Sequence, residues 1–217
     1  MDFNALLTFL DALNKNNSKE WMDEHRKEYK SLRAHFINWL DGLNARLTEL
    51  DPDYYSTPGK VGINRINNNL MFHPHKPIYK DHFGAGLDKA PGFGDYYVEI
   101  GLHQSLIAGG VWRPNPFKLR SIREAIDYNG EELIAIINKP SFKKKFGGLY
   151  VDQRLKTAPK GFSKNHPYLS LLQHKSYGVV HNIARNKIFS TDFDDYVLDI
   201  YQEMLPFRRY LNQALTV

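Results

Sequence analysis

The chain contains no cysteine. That excludes disulfides, thiolate nucleophiles and cysteine-ligated metals. Long apolar runs are missing as well: no stretch approaches the ~20 residues of a membrane-spanning helix. No repeat and no low-complexity linker interrupts the sequence. Common fingerprints of nucleotide and acyl chemistry are also lacking. Gly109-Gly110 and Gly147-Gly148 are not followed by the Gly-Lys-Ser/Thr ending of a phosphate loop, and no Gly-x-Gly-x-x-Gly occurs. Ser105 stands near His103, but no Gly-x-Ser-x-Gly elbow surrounds it. Carboxylates are scarce in the middle of the chain, which disfavours a two-carboxylate glycosidase. The start, Met1 to Leu13, carries Asp2 and Asp11 at helical spacing instead of a leader's apolar run, so a cytoplasmic protein is expected.

Aromatic and apolar material is plentiful. The 217 residues are 42% hydrophobic, with 13 Tyr, 13 Phe and 3 Trp. That is enough to bury a core without staples, and one domain over 1–217 is expected. The net charge of +5 is unevenly spread. Between Lys139 and Lys187 there are eleven Lys or Arg against one acid, Asp152, and an acidic stretch from Asp192 to Glu203 follows. Either the two stretches neutralise each other, or the basic one is an anion-binding face.

The periodicities place helices at both ends. Leu6, Leu7, Leu10 and Leu13 predict a short first helix. Ser18 is a good N-cap for a second, whose apolar positions run from Trp21 and His25 through Tyr29, Leu32, Phe36 and Leu40 to Leu50. Asp192 to Leu215 predicts a last helix, kinked at Pro206. In the middle, Val61 to Ile66 predicts a strand, and 96–102 with 105–112 an antiparallel hairpin. Gly109-Gly110 inside that hairpin signals a bulge or a close backbone approach. Asn115 caps a helix starting at Pro116, a second helix covers Gly130 to Ile137, and Tyr150 to Leu155 is an edge-strand candidate. The expected fold is therefore α+β: a central antiparallel sheet with helices from both chain ends packed against it.

The densest polar segment runs from Arg65 to His82. Arg65, Lys76 and Lys80 are cationic donors, Tyr79 adds a hydroxyl, and Asn67-Asn68-Asn69 offer amides. Such a set suits a carboxylate or phosphate, because a guanidinium can hold two oxygens at once. Trp112-Arg113 follows the hairpin and can stack on or clamp the same ligand. The expected ligand-binding residues are thus Arg65, Lys76, Tyr79, Lys80, Trp112 and Arg113. His73, His75 and His82 lie within ten residues, but Pro74 disfavours a strand that would turn the first two to one ion. Surface histidines, with no metal and no cofactor, are the expectation. Lys143-Lys144-Lys145 between Phe142 and Phe146 could track a nucleic-acid backbone, yet the modest net charge disfavours that partner. A protein or nucleic-acid interaction face over 139–187 is the alternative.

Several of these residues also carry a likeness. Asn16-Asn17-Ser18-Lys19-Glu20-Trp21 with His25-Arg26 and Tyr29 resembles the N-terminal signature of domain of unknown function 2461. The likeness continues through Arg65-Ile66, Phe72, Lys76, Tyr79-Lys80 and Tyr96-Tyr97, then Gly109 to Pro114, Leu119-Arg120, Ile122-Arg123, Gly161-Phe162 and His166-Pro167. The resemblance implies an α+β fold and a site, but no particular reaction. In that family the stretch after Arg-Ile runs aromatic, Arg, Asp, aliphatic, Arg, Phe, whereas this chain has Asn67, Asn68, Asn69, Leu70, Met71 and Phe72. Asn keeps hydrogen bonds but cannot titrate. The comparison implies a divergent member that binds without performing a charge-dependent step.

Overall fold

The helical periodicity is realised at both ends of the chain. In the computed structural model, which describes residues 1–216, α1 spans Phe3–Lys15 and is capped by Asp2, whose Oδ1 accepts from Ala5 N. Ser18 Oγ accepts from Trp21 N at the start of α2, Lys19–Glu24. The long helix predicted from Ser18 to Leu50 breaks once. His25 leaves helical geometry, its ring stacks on Trp21 at 3.8 Å, and its Nδ1 donates to Trp21 O. The rest is α3, Arg26–Leu50. An imidazole bonded to a carbonyl of the preceding turn competes with the helix's own ladder, which accounts for a break where the apolar spacing alone continues.

The predicted strand over Val61 to Ile66 is not formed. Gly59–Gly62 make a single turn, α4, and Ile63 forms only an isolated bridge to Ala85. A Cβ on Gly62 would stand 2.5 Å from Gly86 O, so the backbone approaches the next element too closely for an alternating strand. The sheet has four antiparallel strands in the order β1-β2-β3-β4: His82–Leu87, Asp95–Gly101, Leu106–Val111 and Tyr177–Asn182. The β2–β3 hairpin matches the sequence pattern, whereas β1 and β4 do not show in it. Tyr150 to Leu155 forms no strand; it meets β4 and its approach through Tyr150 N to Gly178 O and an isolated bridge from Arg154 to His174, with Leu155 N donating to Gln173 O and Lys175 N to Gln153 O.

Between β3 and β4 lie α5, Pro116–Asn138, interrupted at Asn129, then α6, Pro140–Phe146, and α7, Leu169–Leu172. Asn115 caps α5 as expected, accepting from Lys118 N. A 3₁₀ turn, Arg185–Phe189, precedes α8, Phe193–Ala214, which runs on through Pro206. The architecture is α+β with helices at both ends.

The chain falls into two compact units. The first comprises Met1–Lys89, Tyr97–Ile107 and Asn182–Leu198; the second comprises Ala90–Tyr96, Ala108–His181 and Asp199–Val217. The first has an aromatic core in which Phe36 meets Phe83 and Trp39 edge-on or tilted at 5.5 and 5.1 Å, and Trp39 stacks on Phe193 at 6.0 Å. Trp39 Nε1 keeps its hydrogen bond by donating to Asp194. In the second, Tyr96 meets Tyr201 edge-on at 5.0 Å. Gly109 and Gly110 prove to be a close approach: a Cβ would stand 2.3 Å from Met204 Sδ at the first and 2.3 Å from Tyr177 O at the second.

Candidate functional site

The segment from Arg65 to Lys80 is not a free loop. Its ends run antiparallel: Asn64 N donates to Gly84 O, Lys80 N to Ile66 O, and Asn68 N to Ile78 O, each within 2.9 Å. Asn67 bridges Tyr79. The result is a short ribbon ending in a turn, where His73 N donates to Asn69 O and Lys76 N to His73 O. The Asn run therefore has a structural share: Asn68 Nδ2 also donates to Pro77 O at 2.9 Å.

This pairing brings Arg65 and Lys80 together. Lys80 Nζ donates to Arg65 O at 2.6 Å. The Lys80 ammonium is held below its ordinary pKa, first by burial and then by the charge of Arg65, with Lys76 acting the same way and Glu99 opposing. Lys76 lies on the exposed turn. Arg65, Lys76 and Lys80 thus form one cationic cluster, and no ion pair engages them among the described residues.

Tyr79 points elsewhere. Its side chain is buried, and its backbone is clamped by Asn17, which accepts from Tyr79 N at 2.9 Å and donates to Tyr79 O at 3.0 Å. The hydroxyl reaches Arg26, a guanidinium also bonded to Asp23. Alternation along an extended chain puts Lys80 and Tyr79 on opposite faces, so Tyr79 supports the ribbon from beneath. Tyr29 lies at the crevice that Arg65, Lys80 and His82 share; burial raises its phenol, and Arg33 and Arg26 pull it back. The crevice is filled and leaves no water-sized space, so a ligand of this cluster would be held at its surface.

Next to the cations lies a second set that the sequence reading missed. His82 sits between two carboxylates, with Nδ1 2.9 Å from Asp81 and Nε2 3.4 Å from Glu99. Tyr97 donates to Glu99 at 2.7 Å. Gly84 makes room for that hydroxyl, which would lie 2.1 Å from a Cβ there. His103 approaches Asp81 at 3.9 Å and lines an open hollow of about 520 Å³ together with Gln104, Ser105, Asn182 and Arg185. The available signal was a period of two: Lys80 with His82, and Tyr97 with Glu99, each fall on one face of an extended chain. Ser105 is structural, accepting from Gly101 N at 3.0 Å. His73 and His75 stay on the exposed turn, and no group of three or more His, Asp or Glu could hold a metal ion among the described residues.

Trp112 and Arg113 belong to the second unit and form an arrangement of their own. Arg113 makes a two-pronged pair with Asp152, through Nε at 3.0 Å and Nη2 at 3.2 Å. The pairing raises the guanidinium and lowers the carboxyl, each through that hydrogen bond first. The guanidinium also lies 5.4 Å from the centre of the Trp112 ring, which in turn meets Tyr150 at 5.6 Å. Arg113 has φ +43°, and its N–H donates to Ser176 Oγ.

The basic stretch and the acidic one do meet. Lys139 pairs with Glu203, Lys145 with Asp199, and Lys187 with Asp192. Arg154 donates to Ser170 O. Lys143, Lys144, Lys156, Lys160 and Lys164 take no part in these ion pairs.

A family model described as conserved hypothetical protein (DUF2461) matches residues 5–210, and the chain belongs to that family. Comparison with curated proteins and with solved structures finds no match.

Proposed function

We propose that this member of the DUF2461 family binds a small anionic ligand, a carboxylate or phosphate, on the ribbon that carries Arg65, Lys76 and Lys80. One observation carries the reading. Burial and like charge already depress Lys80, so its ammonium stands beside Arg65 and Lys76 at a free-energy cost in the unliganded protein. A bound anion relieves that cost and raises the ammonium back toward its ordinary pKa. Lys80 has a backbone carbonyl as its hydrogen-bond partner, but no carboxylate forms an ion pair with Arg65, Lys76 or Lys80 among the described residues, so their like charges are free to meet an anion. Tyr79 and Asn17 hold the ribbon in register. Trp112 and Arg113 would serve a ligand only by exchanging Asp152 for it, since that carboxylate already fills the guanidinium fork. The reading is of binding, in the cytoplasm, with no step of catalysis assigned. The alternative, an interaction face over 139–187, keeps eight of its eleven cations outside the pairs with the acidic stretch.

Calorimetric titration with pyrophosphate and with citrate at low salt tests this. Saturable binding is expected, weakened about tenfold or more by Arg65→Ala or Lys80→Met, which corresponds to ~1.4 kcal/mol or more for each. Equal affinity in the wild type and both variants would refute the reading.

A further inference from the structure

The second unit carries a site of opposite sign. The helix α5 loses helical geometry at Asn129, with φ −141° and ψ 50°. Gly130 follows, and the Tyr168 ring packs where its Cβ would stand, at 2.5 Å. Beside the break lies a hollow of about 450 Å³. That volume suits a small ligand, for which ~300 Å³ is the usual lower bound. Ala125, Tyr128 and Tyr210 give it apolar walls, and Asn129, Glu124 and Glu132 give it polar ones. No lysine or arginine lines it, in a chain whose net charge is +5. Tyr128 stands at the hollow with 93% of its surface exposed.

Glu124 is paired with Arg120 at 2.7 Å. Glu132 accepts only a neutral amide, from Asn129 Nδ2 at 2.6 Å, and no ion pair engages it among the described residues. Tyr210 donates to Asn129 O at 3.2 Å, a carbonyl at the break. Its phenol is pushed up to about 12, by burial first and by the charges of Glu132 and Tyr168 next, so it stays neutral. An anion would be repelled here, and an uncharged apolar guest would desolvate Glu132 without compensation. We propose that this hollow binds a small organic ammonium ion, against the Tyr128 and Tyr210 side chains that line it, with Glu132 as counter-charge. Aromatic faces and a carboxylate together are the chemistry that recognises such ions. The site is independent of the cationic ribbon, and neither proposal rests on the other.

The test is a calorimetric titration of the full chain with choline chloride, matched in ionic strength with sodium chloride. The neutral carbon isostere of choline serves as control. Tyr128 and Glu132 are exposed, so Tyr128→Ala and Glu132→Gln are expected to fold, and circular dichroism confirms it. Saturable binding of choline but not of the isostere is expected, weakened about tenfold by Glu132→Gln and about threefold or more by Tyr128→Ala. Absence of saturable binding, equal binding of the neutral isostere, or affinity unchanged in both variants would overturn the proposal.

Discussion

Arg65 of the first unit is used differently from Arg113, Arg123 and Arg208 of the second. In the second unit Arg113 is locked to Asp152, and Arg123 donates to Leu172 O at 2.8 Å and His174 O at 3.1 Å. Arg208, almost fully buried, donates to Gly94 O. Arg113 joins two irregular stretches, Arg123 joins α5 to the end of α7 and the turn after it, and Arg208 joins α8 to the loop before β2. In the first unit Arg65 is exposed, its carbonyl rather than its guanidinium accepts Lys80, and its charge depresses its neighbour. The contrast separates arginines that hold the fold from one that the fold merely presents. It is also the reason that a motif of cations, read in sequence, could not be sorted into sites: Arg113 and Arg65 look alike until their partners are known.

Breaking the contrast starts with Arg123. Arg123→Met leaves two carbonyls without their donors, and a loss of roughly 2–4 kcal/mol in urea unfolding is expected. Arg65→Met should change stability by less than about 0.5 kcal/mol. Similar losses from both would erase the distinction.

His174 sharpens it next. It is buried, its Nδ1 has no hydrogen-bond partner, and its pKa is lowered to about 4, by burial first and by Arg154 second. The folded pKa lies below the unfolded one, so between pH 6.5 and 4 the unfolded chain binds the extra proton. Stability is therefore complete above the unfolded value and declines as pH falls through that window, by on the order of 1–3 kcal/mol from this group. Comparing unfolding midpoints at the two ends of the window, in the wild type and in His174→Leu, isolates the effect; an equal slope in both would assign the decline to other groups.

A smaller effect is expected at the clamp. Asn17→Ala removes both hydrogen bonds to the Tyr79 peptide. It should cost about 1–2 kcal/mol. It should also weaken anion binding without touching a cation, because the ribbon loses its register. Unaltered affinity in this variant would mean that Tyr79 and the cations are independent.

Much of the fold was legible. Apolar residues at three and four spacing announced α1, α3 and α8, and Ser18 and Asn115 announced the caps of α2 and α5. The β2–β3 hairpin showed through its Tyr, Val and Ile content. β1 did not, because His82-Phe83-Gly84-Ala85-Gly86-Leu87 carries two glycines and buries nearly every residue, which removes both composition and alternation as signals. Gly84 answers to a contact distant in sequence, the Tyr97 hydroxyl, which would lie 2.1 Å from a Cβ there. The break at His25 depends on a side chain returning to its own backbone, which spacing cannot show. At the site, the cationic residues were readable and their partition was not. Arg65 and Lys80 meet only because the ribbon pairs, Tyr79 turns under it, and Asp81, His82 and Glu99 assemble from separate segments.

The most direct test is the titration of the Lys80 ammonium, followed by nitrogen NMR with Lys80→Arg as the assignment control. The crowded-cation account predicts that Lys80 titrates below the other lysines, moves back up in Arg65→Gln, and moves up again in wild type when pyrophosphate is added. A Lys80 that titrates with the remaining lysines, or that ignores both the substitution and the anion, would contradict it.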